Sequence, residues 1–183
     1  MTRVGVLALP GSDGTVSFKY DPAGRRIQKV FTQGSTSTTS NYVYDGKGPN
    51  LIEEVDNGGN AIARYVYSKA VDEPLAQLRS GATNYYEADG LASVTSLSNT
   101  AGALAQTYTF DSFGNLTAST GSLTNRFQYT GREFDPETNL YFYRRVAHAS
   151  RHLEPSWVAY PLPFKRVGRS SLSFAADFNS SDP

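Results

Sequence analysis

Phe18-Lys19-Tyr20-Asp21-Pro22-Ala23-Gly24-Arg25-Arg26-Ile27 is the stretch whose reading settles the fold class. Two aromatics spaced by two lie on one face of a strand. Asp21 bonds its carboxylate to backbone N–H groups two residues on and opens a turn. Pro22 fixes φ within that turn, and Gly24 supplies the positive φ that closes it. The chain then returns as a second strand, so the stretch reads as the tip of a β-hairpin.

The pattern recurs. Aromatic-x-aromatic triplets end at Tyr20, Tyr44, Tyr67, Phe110 and Tyr129, with a looser member at Tyr86. An Asp follows directly at Asp21, Asp45 and Asp111. A Gly lies four residues after the anchor at Gly24, Gly48, Gly90 and Gly114. An aliphatic residue restarts the chain at Ile27, Leu51, Leu91 and Leu116. The unit after Tyr67 has lost both Asp and Gly, a degeneracy usual in repeat arrays. Linkers such as 56–60 and 98–102 read as turns at the opposite end. A lone hairpin is marginal in water, so the units are expected to stack edge to edge into one sheet. An ordinary β-sandwich shares the short strands but not the recurring compound pattern.

Composition agrees. Tyr (12) and Phe (10) are abundant in 183 residues, which suits pleated surfaces. Lys+Arg and Asp+Glu are equal at 17 each, so no bulk field favours nucleic acid. The absence of cysteine excludes disulfides, thiolate metal sites and a Cys nucleophile. No stretch approaches the ~20 apolar residues of a membrane span. The apolar run 4–9 is shorter than a signal-peptide core, so the chain reads as soluble with no export signal of its own and no compartment assigned.

Three stretches resemble the RHS/YD-repeat family. Tyr20-Asp21-Pro22-Ala23-Gly24-Arg25-Arg26-Ile27 looks like a YD repeat, and residues 85–94 resemble the approach to the RHS-associated core. Residues 127–144, with Tyr129, Gly131, Arg132, Asp135, Pro136, Tyr141 and Tyr143, resemble the opening of that core. The resemblance spans residues 17–144. It implies an all-β fold: stacked hairpins forming a curved strip of a teneurin-like shell, which in the family encloses a C-terminal polypeptide, often a toxin. The implied organisation is a lead-in over 1–16, YD hairpins over 17–125, the core opening over 126–144 and a divergent, disordered tail over 145–183.

After Arg144 the family continues with an Ala-Arg-Tyr-Tyr-Asp-Pro stretch, whereas this chain reads Arg145-Val146-Ala147-His148. Charge shifts at the same place, from 11 basic and 14 acidic residues through Tyr143 to 6 and 3 beyond it. The tail therefore reads as the product of truncation, frameshift or recombination. Self-cleavage in the family uses aspartates in the later core, so no catalytic role transfers.

Other motifs read as structural. His148 and His152 lack the Glu of a His-Glu-x-x-His zinc site, since position 149 is Ala. Glu53-Glu54 and Asp72-Glu73 are adjacent pairs, which point to opposite faces of a strand and read as solvated charges. Asp21, Asp45, Asp111 and Asp135 sit where turns need them. Asn115-Leu116-Thr117 fits a glycosylation sequon. The basic, aromatic-rich tail around Trp157 is broken by Pro155, Pro161 and Pro163 and reads as irregular, with no nucleic-acid role. The expectation is a non-catalytic structural chain without cofactor or metal. Its partner would be a polypeptide, either the remaining shell or an enclosed segment, or another copy joined through sheet edges. The alternative is a carbohydrate- or cell-binding module.

Overall fold

The computed structural model describes residues 2–9 and 14–143. Eleven strands form one sheet: β1 (Arg3–Ala8), β2 (Thr15–Tyr20), β3 (Arg26–Gln33), β4 (Thr36–Tyr44), β5 (Leu51–Val55), β6 (Ala61–Tyr67), β7 (Pro74–Arg79), β8 (Ala82–Ala88), β9 (Val94–Asn99), β10 (Leu104–Phe110) and β11 (Leu116–Gly121). Sheet order is chain order, and every neighbouring pair is antiparallel. The sheet does not close, so β1 and β11 are its edges. Residues 1–16 thus supply β1 and the first residues of β2. A separate hairpin, β12 (Glu133–Asp135) with β13 (Leu140–Phe142), comes after the sheet.

One five-residue turn builds five of the ten hairpins of the sheet. Residue 1 is Asp or Asn; its carbonyl accepts the N–H of residue 4, and its own N–H reaches the carbonyl of residue 5. This geometry occurs at 21–25, 56–60, 89–93, 99–103 and 111–115. The first side chain also receives the N–H of residue 5, as in Arg25→Asp21 (2.9 Å), Asn60→Asp56 (2.8 Å) and Asn115→Asp111 (2.9 Å). Residue 4 is left-handed: Gly24, Gly59, Ala92, Gly102 and Gly114 have φ of 81°, 84°, 62°, 79° and 82°. A bulge adjoins each turn and shifts the register.

The structure moves several positions from where spacing put them. In the fourth unit the turn opens at Asp89, not beside Tyr86. Ala92 takes the left-handed place, Gly90 does not, and Leu91 is an exposed tip. Strand β8 runs two residues past Tyr86, with Ala88 standing where other units have an aromatic. Gly48 also lacks a positive φ. The longer turn uses Gly46 at φ 50°, while the Gly48 N–H closes onto the Asp45 carbonyl. The unit after Tyr67 keeps a turn although Asp and Gly are gone. Ser68 Oγ accepts the Ala70 N–H (2.9 Å), and Asp72 adopts φ 64°.

The bulge also breaks strict alternation on the returning strand. Its first residue faces inward, and so does the residue three further on: Arg26 and Lys29, Leu51 and Glu54, Val94 and Leu97 are buried pairs. Ile27 is only half-buried, because the bulge gives its expected place to Arg26. The core lies on this inner face and centres on Tyr42, Tyr44, Leu51, Tyr65, Val94, Leu97, Tyr108 and Phe127.

Candidate functional site

The inner face holds a length of the chain's own backbone. After β11 the chain turns back across the sheet instead of adding a strand. The Leu123 N–H donates to Gln106 Oε1 (3.1 Å), and Gln77 Nε2 donates to the Thr124 carbonyl (3.4 Å). The Tyr86 hydroxyl donates to Asn125 Oδ1 (2.9 Å), and the Val94 N–H to the Gln128 carbonyl (3.1 Å). Phe127 then seats its ring among Tyr65, Tyr67 and Tyr86, with centroids at 5.0, 5.9 and 6.2 Å and edge-to-face angles. Such geometry directs the positive ring edge at a neighbour's negative face.

Polar pairing dominates the other half. Glu54 is 2 % exposed and receives Arg126 through both oxygens (2.8 and 2.9 Å), Arg79 (2.9 Å) and the Tyr65 hydroxyl. Arg26, 1 % exposed, pairs with Glu133 (2.7 Å) and Asp135. Lys29 reaches Asp135 (3.4 Å) and Glu137 (2.9 Å). The Arg26 guanidinium also lies near the rings of Phe18 (5.1 Å), Tyr42 (5.4 Å) and Phe142 (4.6 Å), and Arg126 over Tyr42 (4.6 Å). Burial opposes ionisation of Glu54, but Arg126 and then Arg79 outweigh it and hold its carboxyl well below the usual range. Burial is likewise outweighed at Asp135, by Arg26 and then Lys29, and that carboxyl is also lowered. These groups are matched charges that bind a segment to the sheet.

The positions expected from the resemblance to open a core make much of this contact. The Tyr129 hydroxyl donates to the Ser112 carbonyl (3.2 Å), and its ring fills the space a Cβ on Gly114 would need. Gly131 is buried at φ 65°, where an added Cβ would lie 2.6 Å from the Asp72 carbonyl. Arg132 pairs with Asp72 and lies 5.3 Å from the Tyr143 ring. Tyr141 is buried and donates to Gln128 Oε1 (3.4 Å); Pro136 is exposed in the β12–β13 turn. Phe127 and Tyr129 are not a further sheet hairpin, because Tyr129 lies in a 3-10 turn, Tyr129–Gly131.

Two readings of carboxylates change. Glu54 is not a solvated charge; it faces inward opposite Tyr42, while Glu53 pairs with exposed Arg64 (2.7 Å). The Asp135 carboxylate does not serve its turn. The Asp135 carbonyl accepts the Thr138 N–H (3.1 Å), which frees the side chain for Arg26 and Lys29. Sequence spacing did not reveal Arg26, Lys29, Glu54, Arg79 and Arg126 as one cluster. The cause was the bulge offset after each turn, which residue types do not announce. Asn115 of the sequon donates Nδ2 to Asp111 Oδ2 (2.7 Å), so the turn occupies it. No group of His, Asp and Glu among the described residues could hold a metal. His148, His152 and Trp157 lie outside the described residues, as does the change of sequence after Arg144.

The segment touches β2 through Tyr20–Phe142 (5.7 Å) and β10 through Phe110–Tyr129 (5.6 Å). Eight strand spacings in a flat sheet are roughly 38 Å. A segment this small reaches both strands only if the sheet curls around it.

No protein-family model matches the chain. Among curated proteins it is 31 % identical over 129 residues to the tRNA3(Ser)-specific nuclease WapA of Bacillus spizizenii and 30 % identical over 129 residues to the tRNA nuclease WapA of Bacillus subtilis. Each match covers 69 % of this chain and 5 % of the relative, so the chain spans about a twentieth of their length. Among solved structures it superposes on a TcdB2-TccC3-TEV crystal structure with TM-score 0.55 and 17 % identity, over 74 % of this chain and 7 % of that one. A Photorhabdus luminescens Tc holotoxin pore matches with TM-score 0.53 and 16 % identity, over 75 % and 7 %.

Proposed function

Starting from a chain that is an RHS/YD-repeat protein, we propose that the sheet β1–β11 is a length of shell wall and that the inward-held residues 123–143 lead into and form the opening of a core. The role is structural and non-catalytic: the wall encloses polypeptide and belongs to a system that delivers a C-terminal segment. The observation that carries this reading is that the inner face holds a backbone segment from β2 to β10 by tilted and edge-to-face ring contacts and buried ion pairs. Its partner is polypeptide, and the contacts are of the kind a cargo chain would need. Cleavage of tRNA is a property in the names of the nucleases and is not assigned to these residues, which match a small share of those chains.

Limited proteolysis of the full chain with mass-spectrometric readout tests the reading. Residues 125–142 should resist cleavage as long as the sheet is folded. Cleavage there at the rate of a free peptide would reject the wall-and-segment reading. Reproducible, competable binding on a glycan array would favour a surface module. A truncated band abolished by Asp135→Asn would overturn the non-catalytic assignment.

A further inference from the structure

We propose that the outer edge of β11 accepts β11 of a second copy of this chain, paired antiparallel about a two-fold axis normal to the sheet. The course of the chain makes the edge available. Residues that would supply a twelfth strand turn inward at Leu123, which is held by Gln106, and continue across the inner face. The described residues beyond β11 therefore leave its edge open.

Apart from the bulge opposite Thr109 and Phe110, the edge is also unguarded. Leu116, Thr117, Ala118, Ser119, Thr120 and Gly121 are all exposed, and none is charged or a proline. Edge strands normally carry such residues, or a covering loop, to prevent pairing. Along the β10 side the strand is fixed: Thr107 and Thr120 hydroxyls meet at 2.7 Å, and the Thr117 hydroxyl donates to the Thr109 carbonyl (3.0 Å). Past the bulge at 116–118, the held stretch of strand with its small side chains is a preformed template.

Strand parity selects the partner. Directions alternate along the sheet, so with 11 strands β1 and β11 run the same way. Placing β11 against β1 of an identically oriented copy would create a parallel pair in an otherwise antiparallel sheet, and repeated addition would make a filament. Pairing β11 with β11 is antiparallel and self-complementary, and it closes as a dimer. The two-fold keeps both inner faces on the same side, so two curved strips become one longer wall.

The test uses the full chain, by sedimentation velocity over a concentration series and by hydrogen exchange. A dimer is expected, with β11 amides exchanging more slowly as concentration rises. Ala118 and Thr120 face outward beside Thr109 and Thr107. Ala118→Lys/Thr120→Lys should weaken association at least about tenfold, because the two-fold sets like charges together; Val6→Lys on β1 should leave it unchanged. The chain has no cysteine, so Ser119→Cys adds one thiol, and mild oxidation should link it across the axis. A monomer at every concentration overturns the proposal. So does a dimer broken by Val6→Lys and not by the β11 pair, or β11 protection that is independent of concentration.

Discussion

Glu54 shows how one residue's environment can reverse its ordinary behaviour. Two guanidinium groups and a tyrosine hydroxyl converge on it, and none of the three is readily solvated once the segment docks. Removing one partner leaves charge uncompensated in low dielectric, so Arg126→Gln should cost about 3–5 kcal/mol. In a Glu54→Gln background the same change should cost at least about 1 kcal/mol less. Urea midpoints for the four chains measure both. The turn residues give a second comparison at this scale. Gly102 and Gly114 share a left-handed φ, but a Cβ at Gly102 meets nothing within 4 Å, whereas one at Gly114 runs into the Tyr129 ring. Gly102→Ala should cost about 1 kcal/mol and Gly114→Ala about 2–4 kcal/mol. Ala92 already sits at φ 62°, so Ala92→Gly should stabilise the chain by about 0.5–1 kcal/mol. Thermal unfolding of the three variants checks the ranking.

At the scale of elements, the five-residue turn was legible and its offset was not. Asp21-Pro22-Ala23-Gly24 and Asp111-Ser112-Phe113-Gly114 announce the turn by residue type, since only certain residues satisfy its φ and its side-chain acceptor. The unit at Asp89 hides it, because Ala stands at the left-handed place and a chance Gly90 lies nearby. The bulge after each turn is a backbone event that leaves no residue signature. Reading Glu53-Glu54 as a solvated pair therefore missed the burial of Glu54, and Arg26 was passed over. The long resemblance over 127–144 pointed to the docked segment, but its buried partners come from strands 70 to 110 residues earlier, beyond the reach of local pattern. Phe127 fixes that segment to the wall. Phe127→Ala should cost about 3–5 kcal/mol and should speed amide exchange over 125–142 more than in β6 through β8. Equal acceleration in both regions would mean that sheet and segment form one cooperative unit.

For the whole molecule, ionisation sets the limits of stability. Glu54 and Asp135 have carboxyls lowered in the fold, so their contribution is present above the ordinary carboxylate value of ~4 and is lost as pH falls toward the depressed values. Tyr20 behaves in the opposite sense. Burial, with Asp135 and Glu133 adding to it against Arg26, pushes its hydroxyl up to about 12. Its contribution is complete below the unfolded value of ~10 and disappears as pH rises through about 12. Urea midpoints should therefore be flat from about pH 5 to 9 and fall on both sides. A maximum confined to the acid arm would mean that other groups control stability.

Each strand of the sheet pairs only with the strand made just before it and the one made just after. A ribosome delivers residues in that same order, at roughly 5–20 per second, so every hairpin has its neighbour waiting when it emerges. The segment that ends up inside is synthesised after all eleven strands. The sheet is complete before the segment it holds is made, so any later stretch of the chain meets a surface already formed.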